Sequence, residues 1–105
     1  MPVCLNRTKL ILTEDHPTVK PYDQDKWAEL IDAAKLPIGS SLALIRGLHV
    51  RWVALLQSLP EPAWSRSALH PETGELPLER VLTVYSGHGV KHVGQIQGLR
   101  VARGW

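Results

Sequence analysis

His88 and His92 are four residues apart, and Gln95 follows one turn later. On a helix, residues separated by four share a face, so the two imidazoles stack one turn apart and their nitrogens can reach one ion at roughly 2.0–2.1 Å. Counting by three and four from Leu78 gives Val81, Tyr85, His88, His92, Gln95, Leu99 and Ala102. The ends of this stripe are apolar or aromatic, while His88, His92 and Gln95 make its middle polar. Burying such groups without partners costs about 1–3 kcal/mol each, so a sequence that keeps them on an inward stripe is expected to use them. The expectation is a divalent ion at the bundle interior. The alternatives are two core histidines satisfied by hydrogen bonds, or a helix that turns them to solvent.

Other residues bear on the same chemistry. Gly87, Gly89, Gly94 and Gly98 lie in the same helix, each costing about 0.8–1 kcal/mol relative to Ala. Either they open space beside the histidines or they permit close helix packing. His49 lies between Ile45 and Trp52 on the apolar side of another helix. It could be a third ligand, a partner of a ligand, or a core histidine bonded to a carbonyl, and the last is the favoured reading. His16 and His70 precede prolines and read as turn residues. Cys4 reads as a small packed hydrophobe, since no His or Asp lies beside it.

The elements that must position these groups are helices. Met1 to Thr13 reads as a helix that stops before His16-Pro17, and Pro17 and Pro21 keep the next stretch extended. Asp25 is expected to cap a short helix through Leu30 to Ala34, and Pro37-Ile38-Gly39 to break it. Ser40 or Ser41 should then cap a long helix to Leu59, with Ile45, Leu48, Trp52, Leu55 and Leu59 on one face. Pro60 and Pro62 end it. A polar loop runs through His70-Pro71-Glu72-Thr73-Gly74, and Pro77 suits the first turn of a second long helix reaching about Arg103. No segment reads as a strand. The class is all-α, two long helices plus shorter N-terminal helices.

Composition narrows the function. The 105 residues read as one domain, with 44% hydrophobic and 21% charged residues. The net charge of +2 comes without a Lys/Arg cluster, and no turn-flanked helix gathers residues suited to base contacts, so nucleic acid is not an expected partner. A single cysteine excludes a disulfide framework and a cysteine-built zinc site. The longest apolar run, Trp52-Val53-Ala54-Leu55-Leu56, is far short of the about 20 residues a membrane span needs. With no secretory leader in view, the expected location is cytoplasmic.

Several stretches together resemble a known family. They are His70-Pro71-Glu72-Thr73-Gly74-Glu75, then Tyr85-Ser86-Gly87-His88-Gly89-Val90-Lys91-His92-Val93-Gly94-Gln95-Ile96, then Leu99-Arg100 with Gly104-Trp105. Thr18-Val19-Lys20-Pro21-Tyr22 with Asp25-Lys26-Trp27, and Leu48-His49-Val50-Arg51-Trp52, add to the set. In order and spacing they resemble the DinB-like superfamily, and within it the YfiT branch of metal-dependent hydrolases and bacillithiol transferases. The resemblance implies an up-down-down-up four-helix bundle that binds nickel or zinc through three histidines. Two of these match His88 and His92. The third belongs to a His-containing motif whose place, relative to Leu10-Ile11-Leu12-Thr13-Glu14, falls upstream of Met1. On this reading residues 1–105 are a single DinB-like helical domain, N-terminally shortened. It lacks the family's first helix, part of its second, and one ligand.

Two functions follow from the resemblance. One is a metal-dependent hydrolase or thiol S-transferase acting on a small-molecule or thiol substrate, with Gln95 orienting a ligand or the substrate. The other is a non-catalytic, dimerising helical remnant that binds metal without turnover. A groove left by an absent helix would be covered by a second copy, which makes a homodimer the expected state. Two imidazoles fill only part of a zinc or nickel shell, so weak metal binding and poor catalysis are expected unless His49 completes the site.

Overall fold

The computed structural model describes residues 3–105. The elements in chain order are α1 (Val3–Thr13), α2 (Gln24–Ala28), α3 (Ile31–Ala34), α4 (Ile38–Gln57), a 3-10 turn (Glu61–Ser65), β1 (Ser67–His70), β2 (Gly74–Pro77) and α5 (Leu78–Arg103). Helices dominate, as expected. The first helix forms from Val3, and Met1 of the expected span lies outside the described residues.

Helix starts differ from expectation by a few residues. Asp23, not Asp25, caps α2, its carboxylate accepting from the Lys26 N–H at 3.1 Å. Pro37 occupies the cap of α4, with extended dihedrals. The Ser40 hydroxyl donates back to the Pro37 carbonyl, so neither serine serves as the cap. Pro77 likewise caps α5 rather than sitting inside its first turn. At the other end of α5, Gly104 takes the left-handed conformation (φ 68°) that lets the Trp105 N–H reach the Arg100 carbonyl at 2.9 Å.

The unexpected element is a hairpin. β1 and β2 pair antiparallel, Ser67 opposite Pro77 and His70 opposite Gly74. Pro71, Glu72 and Thr73 form the loop, and Gly74, opposite His70, closes it at φ 85°, a backbone conformation that favours glycine. The His70 Nδ1 accepts from the Glu72 and Thr73 N–H groups and braces the turn. The chain at Pro17–Val19 lies along β1: the Leu69 N–H donates to the Pro17 carbonyl at 2.8 Å, and the Val19 N–H to the Leu69 carbonyl at 2.9 Å. On the surface, Glu75 accepts from the Ser67 hydroxyl at 3.0 Å and pairs with His16 at 2.8 Å. His16 itself is in the left-handed region (φ 45°).

The core lies at one end of the molecule. Cys4, Thr8 and Ile11 of α1 are buried with Val19, Trp52, Ala68, Leu78 and Val81. Leu48, Leu56, Leu59, Trp64 and Tyr85 pack around them. Burial pushes the Cys4 thiol above its ordinary pKa, which suits a packed side chain and not a nucleophile. Thr8 joins two helices at the centre: its hydroxyl donates to the Cys4 carbonyl (2.7 Å) and accepts from the Trp52 indole N–H (2.9 Å). Arg66 closes the end of α1, its guanidinium donating to the Ile11 and Glu14 carbonyls at 2.8 Å each. The Arg66 carbonyl in turn accepts the first N–H of α5, that of Leu78, at 2.9 Å.

Beyond this core the long helices part. Ile45, Leu99 and Ala102 were expected on inward stripes, and all three are exposed. The physical reason is that no described element packs over α4 before Leu48 or over α5 after Tyr85. The radius of gyration is 15.9 Å, against about 13 Å for a spherical chain this long, because these helix ends project. No helix among the described residues is long and apolar enough to cross a membrane.

Two stability tests follow. Thr8→Val keeps the side-chain shape but strands the buried Trp52 N–H. Urea unfolding should show a loss of about 1–3 kcal/mol. Glu75 is held below its ordinary pKa, first by the Ser67 hydrogen bond and then by His16. A carboxylate depressed in the folded state adds stability above its unfolded pKa and loses it as pH falls through the folded value. The unfolding midpoint should therefore fall on acidification through the carboxylate range, with a shallower fall in Glu75→Gln.

Candidate metal centre

α5 positions the candidate ligands. Its first two turns are anchored by Leu78 and Val81, both fully buried. Tyr85, half-buried, is the last side chain of the stripe to touch the core. Its ring stands edge-on to Trp52, with centroids 6.4 Å apart, and its hydroxyl accepts from the Arg7 guanidinium at 3.1 Å. Burial raises the Tyr85 pKa, and the Arg7 charge partly opposes this, so the phenol stays protonated and neutral.

One turn further, His88 sets its ring edge-on to Tyr85 at 6.2 Å. His92 follows at a centroid distance of 4.4 Å from His88. The two Nε2 atoms are 2.9 Å apart, and the Nδ1 of His92 lies 2.8 Å from Gln95 Oε1. The spacing argument therefore places the pair correctly relative to one another. Its setting differs from expectation: His88, His92 and Gln95 are all exposed, because the stripe leaves the core at Tyr85. A Cβ added at Gly87, Gly89, Gly94 or Gly98 would meet no atom within 4 Å. These glycines leave space, and no described helix packs closely against them.

His49 meets half of the favoured reading of its sequence position, the bond to a carbonyl. Its Nδ1 lies 3.0 Å from the Ile45 carbonyl of its own helix, and only a protonated Nδ1 can make that bond. It is exposed, so it is not a core residue. Among the described residues no three His, Cys, Asp or Glu side chains form a group that could hold an ion. His88 and His92 thus bring two nitrogens, and no third donor, to the candidate site. Their fit to an ion is good as far as it goes: two nitrogens bound at about 2.0–2.1 Å to one centre lie about 3.0–3.4 Å apart, close to the separation found here.

The Arg7–Tyr85 contact was not foreseen from sequence. An arginine in mid-helix carries no local signal for a partner 78 residues away. Arg7 also lines a cleft of about 470 Å³ between α1 and the segment around Tyr22 and Trp27.

Comparison with known proteins bears on the same stretch of chain. The sequence pattern of the DinB superfamily matches residues 3–96. A protein of Geobacillus kaustophilus (strain HTA426), named "Putative metal-dependent hydrolase GK0616", is 46% identical over 101 aligned residues, and the match covers 94% of this chain and 56% of the relative. A Bacillus cereus (strain 03BB102) protein named "Putative metal-dependent hydrolase" is 46% identical over 99 residues, 94% of this chain and 57% of the relative. Among solved structures, YfiT from Bacillus subtilis superposes with a TM-score of 0.92 at 39% identity, over 100% of this chain and 60% of its own. It is described as "a probable metal-dependent hydrolase with an unusual four-helix bundle topology". The chain spans a little over half the length of the curated relatives it matches.

Proposed function

This chain belongs to the DinB superfamily, and on that footing we propose that it binds a divalent ion, nickel or zinc, through His88 and His92 and serves a metal-dependent hydrolysis or thiol S-transfer. The observation that carries this reading is the pair of Nε2 atoms facing each other across 2.9 Å. The names of the relatives and of YfiT support its metal-dependent hydrolysis. Imidazole nitrogen suits nickel and zinc alike, so the donors alone do not choose between them.

The roles divide simply. His88 and His92 hold the ion. An ion held by them would supply Lewis-acid chemistry toward a water, a thiol or an electrophile beside it. The Tyr85 ring closes one side of His88, and Arg7 keeps the Tyr85 hydroxyl occupied and turned toward α1. The exposure of the pair leaves the remaining coordination positions open to water, a small-molecule or thiol substrate, or a further side chain. With two nitrogens alone the ion is held weakly, and turnover by this stretch of chain is expected to be slow. The buried, unpaired Cys4 fits a reducing, cytoplasmic setting.

A second reading, a dimerising helical metal-binding module without turnover, is favoured by one observation. α4 and α5 expose apolar side chains along their projecting halves, among them Leu42, Ile45, Val93, Ile96 and Leu99. Covering a Leu or Ile side chain is worth about 1.5–3 kcal/mol, so a few of these suffice to drive self-association. Both readings share the metal pair. They part on activity, which a hydrolysis assay of the metal-loaded protein with and without added thiol decides.

Calorimetric titration with nickel and zinc tests the shared premise. His92→Ala should weaken binding at least tenfold, about 1.4 kcal/mol or more. Equal affinity in the two proteins would refute it. Light scattering at micromolar concentration should give twice the 11.7 kDa chain mass, and a monomer would refute self-association.

A further inference from the structure

We propose that the cleft between α1 and the Tyr22–Trp27 segment is a binding site for a small aromatic carboxylate. Arg7 takes the carboxylate, and the Tyr22–Trp27 pair takes the ring. The inference is independent of the metal-binding reading of His88 and His92.

The cleft follows from spacing on α1 and from the path of the chain after Pro17. Val3, Arg7 and Leu10 recur at four and three residues, so they share one face of α1 and form one wall. The opposite wall is pinned where Val19 is buried and its N–H donates to the Leu69 carbonyl at 2.9 Å. Asp23 then starts α2, which lays Trp27 against Tyr22 with ring centroids 4.6 Å apart. The volume of about 470 Å³ falls within the range of about 300–1,000 Å³ usual for small-molecule sites.

Charge selects the ligand. Arg7 and Lys20 line the cleft together with one carboxylate, that of Asp23. Asp23 is engaged elsewhere: it accepts from the Lys26 N–H at 3.1 Å and pairs with the Lys26 ammonium at 3.7 Å. Among the described residues the ion pairs are His16–Glu75 and Lys26–Asp23, so neither Arg7 nor Lys20 has an acidic partner. Arg7 is half-buried, and its bond to the neutral Tyr85 hydroxyl uses one of five N–H groups. That bond steadies the guanidinium without neutralising it. A guanidinium partly withdrawn from water with no counter-charge favours an anion, and its planar fork matches a carboxylate. Trp27 is 45% exposed and Leu10 37%, so a flat apolar ring laid against them removes further surface from water.

Calorimetry on the metal-free protein tests this with naphthoate as the probe. Acetate carries the charge without the ring, and naphthalenemethanol the ring without the charge. Each should bind about tenfold or more weakly than naphthoate. Arg7→Gln and Trp27→Ala should each weaken naphthoate binding about tenfold or more. Trp27 lies outside the core, so Trp27→Ala and the uncharged probe decide the matter even if circular dichroism shows Arg7→Gln unfolded. Amide NMR shifts on adding naphthoate should centre on residues 6–7 and 20–27. Equal binding of either partial probe, unchanged affinity in Trp27→Ala or in folded Arg7→Gln, or shifts centred on His88 and His92 would overturn the proposal. With no metal present, the result is the same whether or not the two histidines hold an ion.

Discussion

Arg66 fixes the frame on which the site is carried. Its guanidinium takes the Ile11 carbonyl in the last turn of α1 and the Glu14 carbonyl just past its end, and its positive charge suits that end of a helix. Its own carbonyl takes the first N–H of α5. One residue between the 3-10 turn and the hairpin thereby sets where α5 starts relative to where α1 ends. Leu78 and Val81 then have one place to bury, and Tyr85 falls opposite Trp52 and Arg7. His88 follows from Tyr85 by a turn of helix, and His92 from His88 by another. Thr8 does for α4 what Arg66 does for α5, since the Trp52 indole can satisfy its N–H only where that hydroxyl lies.

A division of labour results. The base of α5 is specified by the core, and the histidine pair by the helix alone. The His88–His92 spacing needs nothing from α4, the hairpin or α1. Those elements decide what surrounds the pair: an aromatic edge from Tyr85 on one side, and open solvent on the others in this stretch of chain. That separation explains how a correct local pairing coexists with a wrong expectation of burial.

The sequence makes the pair legible because helical periodicity is local, and four residues is four residues whatever the tertiary setting. The long helices were legible for the same reason, with ends shifted by proline caps that leave serines with no capping work. Burial was not legible. A stripe of Ile45, Leu99 and Ala102 reads as inward in any helix, but whether a neighbour covers it is not encoded in the stripe. The hairpin was invisible on other grounds. Ser-Ala-Leu-His and Gly-Glu-Leu-Pro hold no β-branched or aromatic residue, and each strand has four positions, too few for alternation to show. Its pairing is imposed by the turn at His70–Gly74 and by the extended Pro17–Val19 backbone, a long-range contact. The Arg66 and Arg7 hydrogen bonds belong to the same class: flexible side chains reaching far-off carbonyls or hydroxyls leave no periodic trace.

The glycines of α5 give the histidine pair a mechanical meaning. Gly87 and Gly89 flank His88, and Gly94 lies just past His92, so the segment least inclined to stay helical is the one that carries the candidate ligands. It also lies beyond the last side chain that the core grips. An ion spanning His88 and His92 would clasp one turn of helix to the next across this weak stretch. Because it binds the wound form and not the frayed one, loading would draw the far half of α5 into order by mass action. The ion would then act as a splint: metal supply would set the rigidity of the projecting helix as well as the chemistry at its side.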